Sequence, residues 1–139
     1  MGIKQASKKI TWKLTDLPSP EAAAYTAAPS PFSNITGARN DVELQDTIKS
    51  TGNRTVVVDF GAAWCDHCKG VLPAVIKMTE EFTKPLFVLT DVDAVPETSK
   101  DVRYTPTFSF FKKGKKVDEI YGVNQTQLRD HIWLHSNED

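Results

Sequence analysis

Only two cysteines occur in the 139 residues, too few for a disulfide framework and too few to hold a structural zinc without other ligands. Charge of neither sign is in excess: the net charge is −1, which leaves no basic surplus to condense on a polynucleotide, so no nucleic-acid partner is expected. No apolar run approaches the roughly 20 residues of a membrane-spanning helix, and the N-terminus, MGIKQASKKITWKLTDLPSP, lacks the h-region of a secretory signal. A membrane partner and export are therefore not expected. The expected location is cytoplasmic, with organelle targeting by the N-terminus the lesser alternative. In a reducing compartment a cysteine pair points to catalysis or metal binding rather than to a permanent staple. What is present, a hydrophobic fraction of 40%, is enough for one globular core.

Two local patterns lead nowhere. Met1-Gly2 fits the start of a myristoylation signal, but Ala6 stands where Ser or Thr is required. The sequons at Asn34, Asn53 and Asn124 matter only in a secreted chain. Residues 1–31 mix Pro, Ala and Ser without apolar periodicity and are expected to form a mobile arm, although ITWKL at 10–14 could pack on the domain.

From Phe32 to Asp139 the pattern becomes regular, as one domain. Asp41 to Ser50 reads as a short helix with acids in its first turn, stopped at Gly52. TVVVDF (55–60) and PLFVLTDVD (85–93) are nearly continuous apolar runs, the mark of strands covered on both faces. VLPAVIKMTEEF (71–82) has helical spacing with a kink expected at Pro73, and PETSKDV (96–102) reads as a short helix with Pro96 in its first turn. TPTFSFF and KVDEIYG flank Lys112-Lys113-Gly114-Lys115 as a hairpin, with Phe108, Phe110 and Phe111 expected in the core, and Gln125 to Leu134 closes the chain as a helix. Strands alternating with helices, then a hairpin and a last helix, predict an α/β three-layer sandwich with a central mixed sheet.

The two cysteines, in WCDHC at 64–68, fall where the central strand hands over to a helix, at the sheet edge where open α/β folds place their sites. Cys65 would begin that helix, where unsatisfied backbone N–H groups favour thiolate over thiol. Cys68, one turn later, comes within disulfide reach of it and is less exposed, so position separates an attacking sulfur from a resolving one. A zinc site would have to recruit His67, His131 and His135, and an iron–sulfur cluster a second chain. Both fit worse than thiol exchange. His131 and His135 read as surface residues without partners, and the lysines around Gly114 as a solvated turn.

The series VVVDF, AAWCDHCK, Pro73, TPTF, FKKG and YG resembles the thioredoxin superfamily in order and approximate spacing across residues 32–139. Within it, GAAWC, PETSKDVRYTPTF and the ending WLHS are most similar to the plant thioredoxin-like 3-3 proteins. The resemblance implies a thioredoxin fold and a thiol–disulfide oxidoreductase, a protein-disulfide reductase, that needs no cofactor beyond its own Cys65–Cys68 pair. It implies Cys65 as nucleophile, Cys68 as resolving cysteine and Asp59 as a buried acid that deprotonates it through water. It further implies a substrate groove at Trp64, Thr105, Pro106 (a cis-proline) and Gly122. Implied partners are disulfide-containing proteins and an upstream reductant such as a thioredoxin reductase or the glutathione system, and the chain is expected to be a monomer. An acid placed between three valines and Phe60 also points to burial and a raised pKa for Asp59.

Three departures bear on the direction of reaction. Asp66-His67 replaces the usual Gly-Pro; His67 would favour the thiolate and raise the potential, and Asp66 would oppose it. Gly61 stands where typical thioredoxins carry Trp, and Leu89 where many carry Lys near the buried acid. An oxidase or isomerase direction is therefore open, as is the alternative of a redox sensor or binding module with weak turnover.

Overall fold

The computed structural model describes residues 34–136. The expected arm at 1–31 lies outside the described residues. Five strands and three helices follow in the order β1 (Ile35–Ala38), α1 (Asp41–Lys49), β2 (Val56–Gly61), α2 (Asp66–Glu81), β3 (Leu86–Asp91), β4 (Thr107–Lys112), β5 (Lys115–Tyr121) and α3 (Gln125–His135). They form one sheet ordered β1-β3-β2-β4-β5. β1 and β2 run parallel to β3, and β4 runs antiparallel to both β2 and β5. The expected mixed sheet is thus observed, with the nearly all-apolar TVVVDF run as its middle strand.

Strand alternation divides the core into two layers. Val57 of β2, Phe87 and Leu89 of β3, and Phe108 and Phe110 of β4 pack with Val71, Leu72, Val75 and Met78 of α2 and with Leu128 and Ile132 of α3. Val56, Val58 and Phe60 face the other way, toward Leu44 and Ile48 of α1 and Val95, with Phe111 joining this second layer half-buried. The three phenylalanines are core residues of opposite faces. β2 is buried at all six positions, so its single acid is buried with it.

Local signals set the element ends. Asn40 caps α1 by accepting from the Glu43 N–H at 2.9 Å, and Asn124 caps α3 through the Gln127 N–H at 2.9 Å. Lys113 and Gly114 both adopt positive φ, 54° and 81°, the requirement of a two-residue hairpin turn whose twist matches its strands. α2 continues through Pro73.

The expected helix at 96–102 is not one. The segment is a run of turns, with Ser99 N–H bonded to Val95 O at 2.9 Å but Val102 N–H bonded to Ser99 O at 2.9 Å. A stretch this short cannot recover the cost of nucleation from its own bonds. It is held from outside instead: the Asp41 carboxylate accepts from the N–H groups of Glu97 at 3.2 Å and Thr98 at 2.8 Å, and the Ser99 hydroxyl donates to Val92 O at 3.1 Å.

Candidate active site

β2 ends at Gly61, and the chain turns into α2 through Ala62, Ala63 and Trp64. The turn is closed by Cys65 N–H donating to Ala62 O at 3.1 Å. It is fixed from β3 by Asp91, whose carboxylate accepts from the Ala63 N–H at 2.9 Å and from the Asp93 N–H at 2.8 Å. Cys65 is thereby set as the N-cap of α2, with extended backbone (φ −97°, ψ 107°) and its Sγ accepting from the Cys68 N–H at 3.2 Å. A sulfur in that position sits at the positive end of the helix dipole and has an N–H donor aimed at it, both of which stabilise a thiolate.

Cys65 and Cys68 are joined as a disulfide, with Cα atoms 5.3 Å apart. Cys65 retains 6% of its surface and Cys68 1%, so the edge a partner can reach belongs to Cys65. The Thr105 carbonyl oxygen lies 3.6 Å from Cys65 Sγ. Thr105 precedes Pro106 through a cis bond, the Pro106 carbonyl accepts from the Gly122 N–H at 2.9 Å, and Gly122 has φ +90°. A Cβ at Gly122 would meet nothing within 4 Å, so glycine is required there by backbone conformation rather than by space. Trp64 is exposed, and its indole N–H donates to Asp93 at 3.0 Å. It is not a core residue. Asp66 and His67 are both exposed on the first turn of α2.

Asp59 is fully enclosed, and neither of its carboxylate oxygens has a hydrogen-bond partner among the described residues. In the sheet it lies between Leu89 on β3 and Phe108 on β4. By alternation it shares the face of Val57, which packs against α2, the helix whose first turn carries Cys68. Burial pushes its pKa up from 3.8 to about 7, because the charged form loses hydration and nothing replaces it. Leu89, the residue beside it in register, supplies no charge to offset this.

The geometry brings Cys65, Cys68, Trp64, Thr105, Pro106 and Gly122 to one corner of the sheet, and the Thioredoxin family model matches residues 33–133. The chain belongs to the thioredoxin family. It is 43% identical over 106 residues to thioredoxin-like 3-3 of Arabidopsis thaliana, covering 74% of this chain and 83% of that protein. It is 37% identical over 119 residues to thioredoxin-like 3-3 of Oryza sativa subsp. japonica, covering 84% and 92%. Its fold is similar to the X-ray structure of Fasciola hepatica thioredoxin, with a TM-score of 0.68 and 36% identity over 71% of this chain and 97% of that one. A thioredoxin-family chain with its two cysteines at CxxC spacing, joined as Cys65–Cys68, is a thiol–disulfide oxidoreductase. Thioredoxins carry out this exchange on their own cysteines without a cofactor, and no group of three or more His, Cys, Asp or Glu among the described residues is placed to hold a metal ion.

Two residues of this thioredoxin's site escape a reading of the motif alone. Asp91 and Asp93 together hold the turn before Cys65 and the Trp64 ring. The available signal is the pair of acids spaced two apart where an apolar strand ends, on the sheet edge that carries the cysteines.

Proposed function

We propose that this thioredoxin is a protein-disulfide reductase in which Cys65 attacks and Cys68 resolves. The observation that carries the reading is the placement of Cys65 Sγ at the N-cap of α2, with the only reachable edge of the pair and the Thr105 carbonyl beside it. In the reduced protein the Cys65 thiolate attacks one sulfur of a partner's disulfide. A Cys65–partner bond forms, and the partner's other sulfur leaves as a thiolate. Cys68 then loses its proton to Asp59, by way of water, and attacks Cys65 Sγ. The Cys65–Cys68 bond re-forms and the second partner sulfur leaves, so that two electrons have passed to the partner.

Asp59 suits the proton-accepting role because an acid with a pKa of about 7 both takes and returns a proton near neutral pH. The partner segment would lie extended along Trp64, Thr105, Pro106 and Gly122. Asp66 and His67 tune the pair in opposite senses, His67 favouring the thiolate and Asp66 opposing it. The electrons would come from an upstream reductant such as a thioredoxin reductase or the glutathione system.

The test is the reduction potential of the pair in a glutathione series, with insulin reduction measured alongside. The reading predicts a potential near about −270 mV and catalysed insulin reduction. A value of about −180 mV with poor insulin turnover would make the protein an oxidase, isomerase or redox sensor instead.

A further inference from the structure

Four of the large apolar side chains that this molecule leaves exposed lie on segments bordering the disulfide: Trp64, Tyr104, Tyr121 and Val123. Two of them form a pair. The rings of Tyr104 and Tyr121 pack edge to face, with centroids 5.6 Å apart and planes at 60°, a geometry favoured by the ring quadrupoles. Both remain open to solvent, at 63% and 57%.

The backbone under this pair is as fixed as the site itself. Tyr121 ends β5 opposite Thr107, the first residue of β4. The Thr107 hydroxyl donates to Tyr104 O at 2.6 Å. Tyr104 immediately precedes Thr105, whose carbonyl approaches Cys65 Sγ, and Tyr121 immediately precedes Gly122, whose N–H bonds Pro106. The two rings therefore stand on the two segments that frame the cis-proline, and each ring packs against the other.

We propose that Tyr104 and Tyr121 form a specificity wall for the exchange reaction, selecting disulfides whose cysteine is flanked by a large apolar side chain. The inference rests on the reductase reading and adds the substrate class to it. A braced aromatic pair offers broad apolar area at little cost in side-chain entropy on binding. A partner segment held beside Thr105 with its sulfur at Cys65 would lie next to the residues that carry the pair, Tyr104 before Thr105 and Tyr121 before Gly122. A Leu, Met or Phe next to its cysteine then loses water against the rings, whereas a Ser gains nothing there.

Two short synthetic peptides, each oxidised to its disulfide-linked homodimer, provide the probe. They are identical except that Leu flanks the cysteine in one and Ser in the other. Single-turnover oxidation of the chemically reduced full chain should be about tenfold faster with the Leu peptide, a ratio that partial burial of one Leu side chain supports. In the double variant Tyr104→Ala, Tyr121→Ala the ratio should fall to within about twofold of unity. Tyr104→Phe, Tyr121→Phe should restore it, since the rings and not the hydroxyls carry the contact. A pair that merely braced the loop would lower thermal stability without changing the ratio.

Equal rates for the two peptides in the wild-type protein, or a tenfold ratio that survives in the alanine variant, overturn the inference while leaving the reductase reading intact. If neither peptide oxidises the reduced protein, the exchange reading fails and the specificity wall falls with it.

Discussion

At the residue scale the decisive group is Asp59, a carboxyl sealed between Leu89 and Phe108 with both oxygens unpartnered. Its pKa, pushed up to about 7 against 3.8 when exposed, makes it a source of instability at neutral pH. Below about pH 4 it is protonated in both folded and unfolded chains and costs nothing. As pH rises toward 7 the unfolded chain releases the proton and the folded one holds it, so stability falls, and above 7 the full penalty is present. The distance between the two values corresponds to roughly 4 kcal/mol. Asp59→Asn should therefore melt higher than wild type at pH 8, with the gap closing toward pH 4. It should also resolve mixed disulfides at least about tenfold more slowly and lose the inflection near pH 7 in that rate. An unchanged resolution rate would remove Asp59 from the mechanism. Much of this was legible in the sequence, because an acid inside VVVDF has no solvated face to occupy. Asp91 and Asp93 were not, since their partners, the Ala63 N–H and the Trp64 indole, lie 28 and 29 residues away and no local pattern encodes those meetings.

At the scale of elements, the attachment of α3 departs most from expectation. His131 and His135, read from sequence as unpartnered surface residues, lie on one side of α3 and converge on a single oxygen of Asp118 in β5, at 2.5 and 2.9 Å. Both rings also contact Phe110, and Thr55 at the head of β2 donates to the His135 carbonyl at 2.5 Å. The four-residue spacing of the histidines was visible. The acid that pairs them was not, because it comes from an edge strand whose neighbours only the sheet order defines. Burial raises the Asp118 pKa, but hydrogen bonds from His131, His135 and the Glu119 N–H outweigh it and leave the group below its ordinary value. Its contribution is fully present above about pH 4 and is lost as pH falls through the lowered pKa. Asp118→Ala should destabilise by about 1–3 kcal/mol at pH 7 in a denaturant titration. Arg129→Ala, which removes an exposed ion pair with Glu81, should cost no more than about 1 kcal/mol. Equal effects would mean that the Asp118 cluster does not anchor the helix. The turns at 96–101 were misread as a helix for a related reason: propensity was visible, but the tertiary bonds from Asp41 that hold them were not.

At the scale of the whole molecule, the central place of β2 follows from patterns the sequence carries openly. Two apolar runs had to be interior strands, and KKGK had to be a hairpin, which leaves β2 central and its exit loop at the site. Function then depends on three separate connections meeting there, from β2 to α2, from β3 to β4 and from β5 to α3, with one sulfur left reachable. The account stands on that asymmetry between the two cysteines. Its most direct test is to mix the reduced Cys65→Ser and Cys68→Ser variants separately with insulin and identify covalent adducts by mass spectrometry under non-reducing conditions. The account predicts that Cys68→Ser accumulates a mixed disulfide at Cys65 and that Cys65→Ser accumulates none. An adduct at Cys68 in the Cys65→Ser variant, with none at Cys65 in the other, would contradict it.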